Sequence, residues 1–161
     1  MQTSSTQRPA DLHGPLRDAF ERQLALCDSL ETIADSLPDR LDRQECLHMS
    51  RLVGPLLKHA HAAEELLLFP EVAATLGDPG IIETLRLEHI EDECFAEEVQ
   101  YELLLIGQGR PLLTPEATGY MLRGFFEGIR RHIRHEQDLV GRLGAGPAVG
   151  EPLPPAGDDA D

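Results

Sequence analysis

The chain has 161 residues, enough for one domain with a stable core and too few for several. Aromatic residues make up 4%, Trp is absent, and helix-forming residues such as Leu, Ala, Glu and Arg dominate, so we expect an all-α protein. A formal net charge of −15 without a compensating Lys/Arg stripe argues against nucleic acid or an anionic membrane as a partner. Because the sequence has no apolar run of signal-peptide or membrane-spanning length, we expect a cytoplasmic protein.

Composition divides the chain into three parts. We expect residues 1–10 to be a flexible N-terminus, residues 11–143 to form the domain, and residues 144–161 to be a disordered acidic tail rich in Pro and Gly. Cys27, Cys46 and Cys94 have no CxxC spacing, which argues against a disulfide framework and against a thiolate zinc site. Each is expected to be a small buried or half-buried helix residue.

The first two predicted helices occupy the N-terminal half of the domain. The first begins after the capping residue Asp11 and carries apolar residues at three- and four-residue spacing to about Leu37. The second starts near Asp39 and runs to about Leu76. Gly54-Pro55 is expected to break or kink it partway.

Two further helices follow. Residues 77–80 read GDPG, a turn by composition, and residues 81–107 then place apolar side chains on one helical face. Pro115 is well placed to begin the last helix, because a proline in the first turn loses no hydrogen bond. Four long helices with short connections predict an antiparallel up-down-up-down four-helix bundle.

A repeated pair of residue types stands out in these helices. Residues four apart lie on one helical face, so a His and the following Glu can bind one metal ion or two adjacent ions. One such pair would mean little, but the pattern occurs on three separate predicted helices: His61/Glu65, His89/Glu93 and His132/Glu136. This recurrence predicts a metal site.

The predicted metal ligands point into the core. On the second helix the inward row starts at Leu57 and continues through His61 to Glu65, with Glu64 as the alternative. A carboxylate buried without a partner is strongly destabilising, whereas a bound cation compensates its charge. His13, near the start of the first helix, is expected to supply a nitrogen from the helix that lacks a pair.

Each pair has a simpler interpretation. A single His on an apolar face is usually a hydrogen-bonded core residue, and a single Glu is usually a solvated surface charge. The pair His89/Glu93 is the weakest, because its helix is so acidic that Glu93 could be one more solvated charge. His48, His59 and His135 fall off the inward rows, and we assign them to the surface or to positions behind the ligands.

The ligand types restrict the metal. Imidazole and carboxylate ligands without thiolates favour iron or manganese over a structural zinc. The candidates are too many for one tetrahedral site and suit two bridged six-coordinate ions with an open position: His13, His61, Glu65, His89, Glu93, His132 and Glu136. We therefore expect a di-metal centre.

The order of these residues resembles that of hemerythrin-like proteins with an HHE cation-binding domain. The family has His on the first helix, HxxxE on the second, His on the third and HxxxE on the fourth. Here His13, residues 61–65, His89 and residues 132–136 are similar to that pattern, and EELLLFP resembles the family's usual end of the second helix. The resemblance covers about residues 11–143.

The resemblance implies a non-haem di-iron site with an oxo or hydroxo bridge, carboxylate bridges from Glu65 and Glu136, and a position open to dioxygen or a related small ligand. Animal respiratory hemerythrins have a second His one turn later on the third helix, where this chain has Glu93. An added carboxylate favours ferric iron, which implies faster oxidation than in an oxygen carrier.

Three functions stay open at this point. The first is a metal-binding module that binds dioxygen or a related ligand, in oxygen or iron sensing or in iron storage. The second is a di-iron oxidase or peroxidase acting on hydrogen peroxide, nitric oxide or ferrous iron. The third is a metal-free helical adaptor. The sequence indicates no particular protein partner.

Overall fold

The computed structural model describes residues 13–145, with side chains from residue 14 onward, and this part of the chain forms five α-helices without a strand. They are α1 (His13–Ser36), α2 (Arg43–Leu67), α3 (Phe69–Leu76), α4 (Pro79–Gly107) and α5 (Pro115–Gly144). The prediction of an all-α protein is confirmed. Residues 1–10, expected to be flexible, and residues 146–161 of the expected tail lie outside the described part.

The second predicted helix is interrupted at a different place from the one expected. α2 continues through Pro55, and the neighbouring Gly54 N–H donates to Gln100 Oε1 of α4 at 2.7 Å. Pro55 lies on the exposed side of α2, where water can bond the backbone carbonyl that a proline leaves free. The break instead comes at Leu68, directly before α3, whose first turn contains Pro70.

The long helices pack through paired contacts around one apolar core. α1 packs on α2 and α5, and α4 packs on α2 and α5. Between α1 and α5, Asp35 pairs with Arg123 and Glu31 pairs with Arg130, so residue numbers rise along one helix as they fall along the other. Contacts between α2 and α4 follow the same opposite order. This packing brings the C-terminal part of α2, the N-terminal half of α4 and the C-terminal half of α5 to one level of the core.

One of the three cysteines is more exposed than expected. Cys27 and Cys46 are buried as expected, whereas Cys94 is exposed on α4. That expectation was wrong because Cys94 follows the inward-facing His89 by five residues, which is about 140° around the helix. Among residues 13–145, no helix is both long enough and apolar enough to cross a membrane.

Candidate metal centre

Four buried side chains from three helices converge in the core. Glu64 comes from α2, His89 from α4, and His132 and Glu136 from α5, and none is more than 5% exposed. One donor atom of each lies within 4.8 Å of the others. His89 Nε2 is 3.1 Å from Glu64 Oε2, and His132 Nε2 is 3.3 Å from Glu136 Oε1. Buried imidazoles and carboxylates gathered in this way form a candidate metal-binding site.

The inward donor atoms have no hydrogen-bond partner among the described residues. They are Nε2 of His61, His89 and His132, Oε2 of Glu64, and both carboxylate oxygens of Glu136. Several lie within 3.5 Å of another polar atom, but without the geometry of a hydrogen bond. Buried polar atoms in proteins are almost always hydrogen-bonded. This donor set therefore fits a bound cation better than a closed hydrogen-bond network.

Each buried imidazole turns its outward nitrogen towards a carboxylate of the same layer. Nδ1 of His61 lies 3.0 Å from Glu93 Oε1, Nδ1 of His89 lies 2.8 Å from Glu65 Oε1, and Nδ1 of His132 lies 3.3 Å from Asp92 Oδ2. At His61 and His89 the contact is a hydrogen bond, which holds the proton on Nδ1 and leaves the lone pair on Nε2. Imidazoles that bind metals are commonly oriented in this way.

The three imidazole rings are also stacked on one another. The centroids of His61 and His89 are 3.9 Å apart with their planes within 5°, and those of His89 and His132 are 5.0 Å apart. Burial first, and then the positive charges of His89 and His132, lower the pKa of His61 to about 3. His61 is therefore neutral at physiological pH and available as a ligand.

The other buried groups shift one another's pKa values. Burial by itself lowers the pKa of His89, but the carboxylates around it, Glu136 first, outweigh burial and raise that pKa to about 10. At His132 the carboxylates of Asp92 and Glu136 outweigh burial in the same way and raise the pKa to about 10. Burial raises the pKa of Glu64 to about 7, whereas the two imidazoles outweigh burial at Glu136 and hold its pKa at about 2. A metal cation that binds here must displace protons from the imidazoles.

On the inward face of α2, the structure corrects the choice of glutamate. The sequence prediction placed Glu65 there, with Glu64 as the alternative. In the structure the Glu65 side chain is 45% exposed and that of Glu64 is 0% exposed. At about 100° per residue, Glu64 lies about 20° from the direction of Leu57, and Glu65 lies about 80° from it. His61 itself lies off the centre of the inward row. The residue four positions after it, Glu65, therefore points farther from the core than Glu64 does.

Two other predicted ligands are not members of the group of four found among the described residues. Glu93 is 31% exposed and contacts the outward nitrogen of His61. His13 begins α1, and its side chain lies outside the described part of the structure. The contact between Gln23 and Glu64 places Gln23 at the level of the cluster, so the backbone of His13 is about 15 Å away along α1.

Gln23 is the α1 residue at the site, and sequence reasoning missed it. It is 1% exposed, and its Nε2 donates to Glu64 Oε1 at 2.5 Å. Its own Oε1 has no hydrogen-bond partner among the described residues. A signal was present in the sequence, because Gln23 interrupts the apolar stripe between Phe20 and Cys27 at helical spacing.

The histidines that fell off the inward rows are exposed in the structure. His48 and His59 lie on the outer side of α2, and His135 lies on α5. His135 Nδ1 is 3.9 Å from Glu88 Oε2 of α4, beside the buried centre. Their assignment to positions outside the inward rows agrees with this exposure.

Comparison with known proteins agrees with the resemblance seen in the sequence. The hemerythrin HHE cation-binding domain family matches residues 11–143, whereas no curated protein and no solved structure matches the chain significantly. The family match spans the helices that carry the buried His and Glu residues. The chain belongs to the hemerythrin HHE cation-binding domain family.

Proposed function

We propose that this chain holds two iron ions in the buried cluster and binds dioxygen or a related small ligand there. The observation that carries the proposal is the set of buried imidazole and carboxylate atoms that lack hydrogen-bond partners within the described residues. Imidazole and carboxylate donors without a thiolate favour iron or manganese over a structural zinc. A buried, partly apolar site favours small ligands.

We assign five described side chains as metal ligands: His61, Glu64, His89, His132 and Glu136. Glu64 replaces Glu65 as the α2 carboxylate, because it is the one that faces the cluster. The two carboxylates have two oxygens each, which suits the bridging of two neighbouring ions. Five side chains do not fill the coordination positions of two six-coordinate ions, so room is left for a bridging oxygen and a small ligand.

The surrounding residues hold this ligand set in place. Glu65 and Glu93 keep the protons of His89 and His61 on Nδ1, so that both Nε2 lone pairs face inward. Gln23 fixes one oxygen of Glu64, and the Phe69 ring, 5.3 Å from the His89 ring, excludes water from one side. Bound iron would supply a redox-active centre with an open coordination position.

The proposal includes the wider expectations from the sequence. The domain comprises residues 11–143 as an up-down-up-down bundle in the cytoplasm. The opposite residue order in the contacts between paired helices supports that topology.

Metal analysis is the first test. Protein purified from iron-replete cells should contain about two irons per chain and show the ultraviolet bands of an oxo-bridged diferric centre. Near-stoichiometric zinc without iron would contradict the proposal. Equal iron content after replacement of Glu136 by Ala would show that the buried cluster is not the metal site.

Rapid mixing of the reduced protein with dioxygen tests the ligand function. A charge-transfer band that persists after mixing supports binding of the ligand. Rapid multiple turnover with hydrogen peroxide or ferrous iron would instead support the oxidase or peroxidase that the sequence left open. Each measurement is made on protein of known iron content, so that weak loading is not mistaken for a lack of reactivity.

A further inference from the structure

An acidic pocket opens between α4 and α5 on the outer side of His132. Its volume is about 330 Å³, and its polar lining is Glu88, Glu91, Asp92, Arg131, His132 and His135. His132 therefore lies between this pocket and the buried cluster. Its Nε2 lies 3.3 Å from the buried Glu136, and its Nδ1 faces the carboxylates of the pocket.

Two carboxylates of the pocket face a single imidazole nitrogen, Nδ1 of His132. Glu88 Oε2 and Asp92 Oδ2 lie 3.4 Å and 3.3 Å from His132 Nδ1. Among the described residues, none of these three buried atoms has a hydrogen-bond partner, and His132 is only 5% exposed. His61 and His89, in contrast, each have a carboxylate in hydrogen-bonding geometry at Nδ1.

The negative charge of the pocket has little compensation. Arg131 lines the pocket but, within residues 14–145, forms no ion pair within 4 Å of Glu88 or Asp92. His135 offers an imidazole nitrogen 3.9 Å from Glu88 Oε2. Two carboxylates and an exposed imidazole at one pocket are ligand types that suit divalent iron and manganese.

We propose that Glu88, Asp92 and His135 form an outer site for a divalent transition-metal cation. The pocket is open to solvent, so its negative potential attracts cations. In the described structure, His132 is the only imidazole that separates the pocket from the buried carboxylates. A cation held there is positioned to pass His132 into the centre. This loading role rests on the proposed function, whereas the outer site itself does not.

Manganese binding tests the outer site directly. Full-length protein is titrated with Mn²⁺, and the free ion is measured by electron paramagnetic resonance, in wild type and in Glu64→Gln. A weak site should persist in Glu64→Gln, because its ligands lie outside the buried centre. Glu88→Gln should weaken that site about tenfold or more, as expected for loss of a carboxylate at a metal site.

Glu91→Gln is the matched control. Glu91 is exposed and lines the same pocket, and its replacement removes the same charge. Its effect should be small, because solvent and salt screen an exposed charge, whereas Arg131→Gln should strengthen Mn²⁺ binding. Equal weakening in Glu88→Gln and Glu91→Gln, or the absence of any weak site in wild type, would overturn the outer site.

The loading role has its own measurement. Stopped-flow mixing of metal-free protein with Co²⁺ should show several-fold slower filling of the buried centre in Glu88→Gln, with an unchanged final stoichiometry. An unchanged rate would overturn the loading role. If wild type binds Mn²⁺ at the outer site but takes up no metal in the centre, the proposed function fails and the outer site stands.

Discussion

Replacement of Glu64 by Gln should release metal, whereas the same replacement at the adjacent Glu65 should have a much smaller effect. The Glu64 side chain is 0% exposed, and its Oε2 lies 3.1 Å from His89 Nε2 on the inner side of the ring. The Glu65 side chain is 45% exposed and reaches Nδ1 on the outer side of the same ring, at 2.8 Å. Both variants lose one charge from neighbouring positions of α2, so they differ chiefly in the direction of the side chain.

The expected magnitudes follow from burial. Removing one partner of a buried charge pair costs about 3–5 kcal/mol, and about 1.4 kcal/mol corresponds to a tenfold change in affinity. Glu64→Gln should therefore weaken metal binding by roughly two to three and a half orders of magnitude. Glu65 acts through a hydrogen bond to His89 and is half exposed, so its loss should weaken binding by about tenfold.

Competition with a chromophoric chelator measures both affinities. Metal-free protein and chelator compete for Co²⁺, and circular dichroism of each metal-free variant confirms that the helices are intact before the comparison. An equal loss of affinity in the two variants, or a greater loss in Glu65→Gln, would refute the assignment of Glu64 as the inward carboxylate. It would also restore the face of α2 that the four-residue spacing predicted.

Three further changes probe the groups around the cluster. Glu93→Gln makes His61 a weaker electron donor and should raise the reduction potential of bound iron. If the reduction potential and the autoxidation half-life are unchanged at equal iron content, Glu93 has no role at the site. Gln23→Leu leaves the buried Glu64 Oε1 without its donor, so it should lower the unfolding free energy of the metal-free protein, measured in urea, by about 1–3 kcal/mol. The control Gln137→Leu, at an exposed position, should leave the unfolding free energy unchanged. The raised pKa values of His89 and His132 stabilise the metal-free fold fully below about pH 6.5, and this contribution is lost as pH rises through about 10. The melting temperature of the metal-free protein should fall between pH 7 and pH 10 while metal affinity rises, because fewer protons compete, and a melting temperature that does not change with pH would contradict this linkage.

The helices and most of their buried faces could be predicted from local patterns. Pro115 begins α5 as expected, because a proline in the first turn loses no hydrogen bond. The three- and four-residue spacing of apolar side chains predicted the buried positions of α4 and α5, and it placed His89 and His132 among them. These features depend on backbone geometry that is the same in every α-helix, so neighbours along the chain suffice to predict them.

The identity of the inward donors depended on how the helices pack. Glu64 and Glu65 differ by about 100° around α2, and the position of α4 decides that one faces the cluster and the other the outer side of His89. The level of α1 against α2 brings Gln23 to the site and leaves the start of α1 about 15 Å away. Rotation and axial offset between helices are set by side-chain packing across the whole core, which the spacing of residues within one helix does not encode.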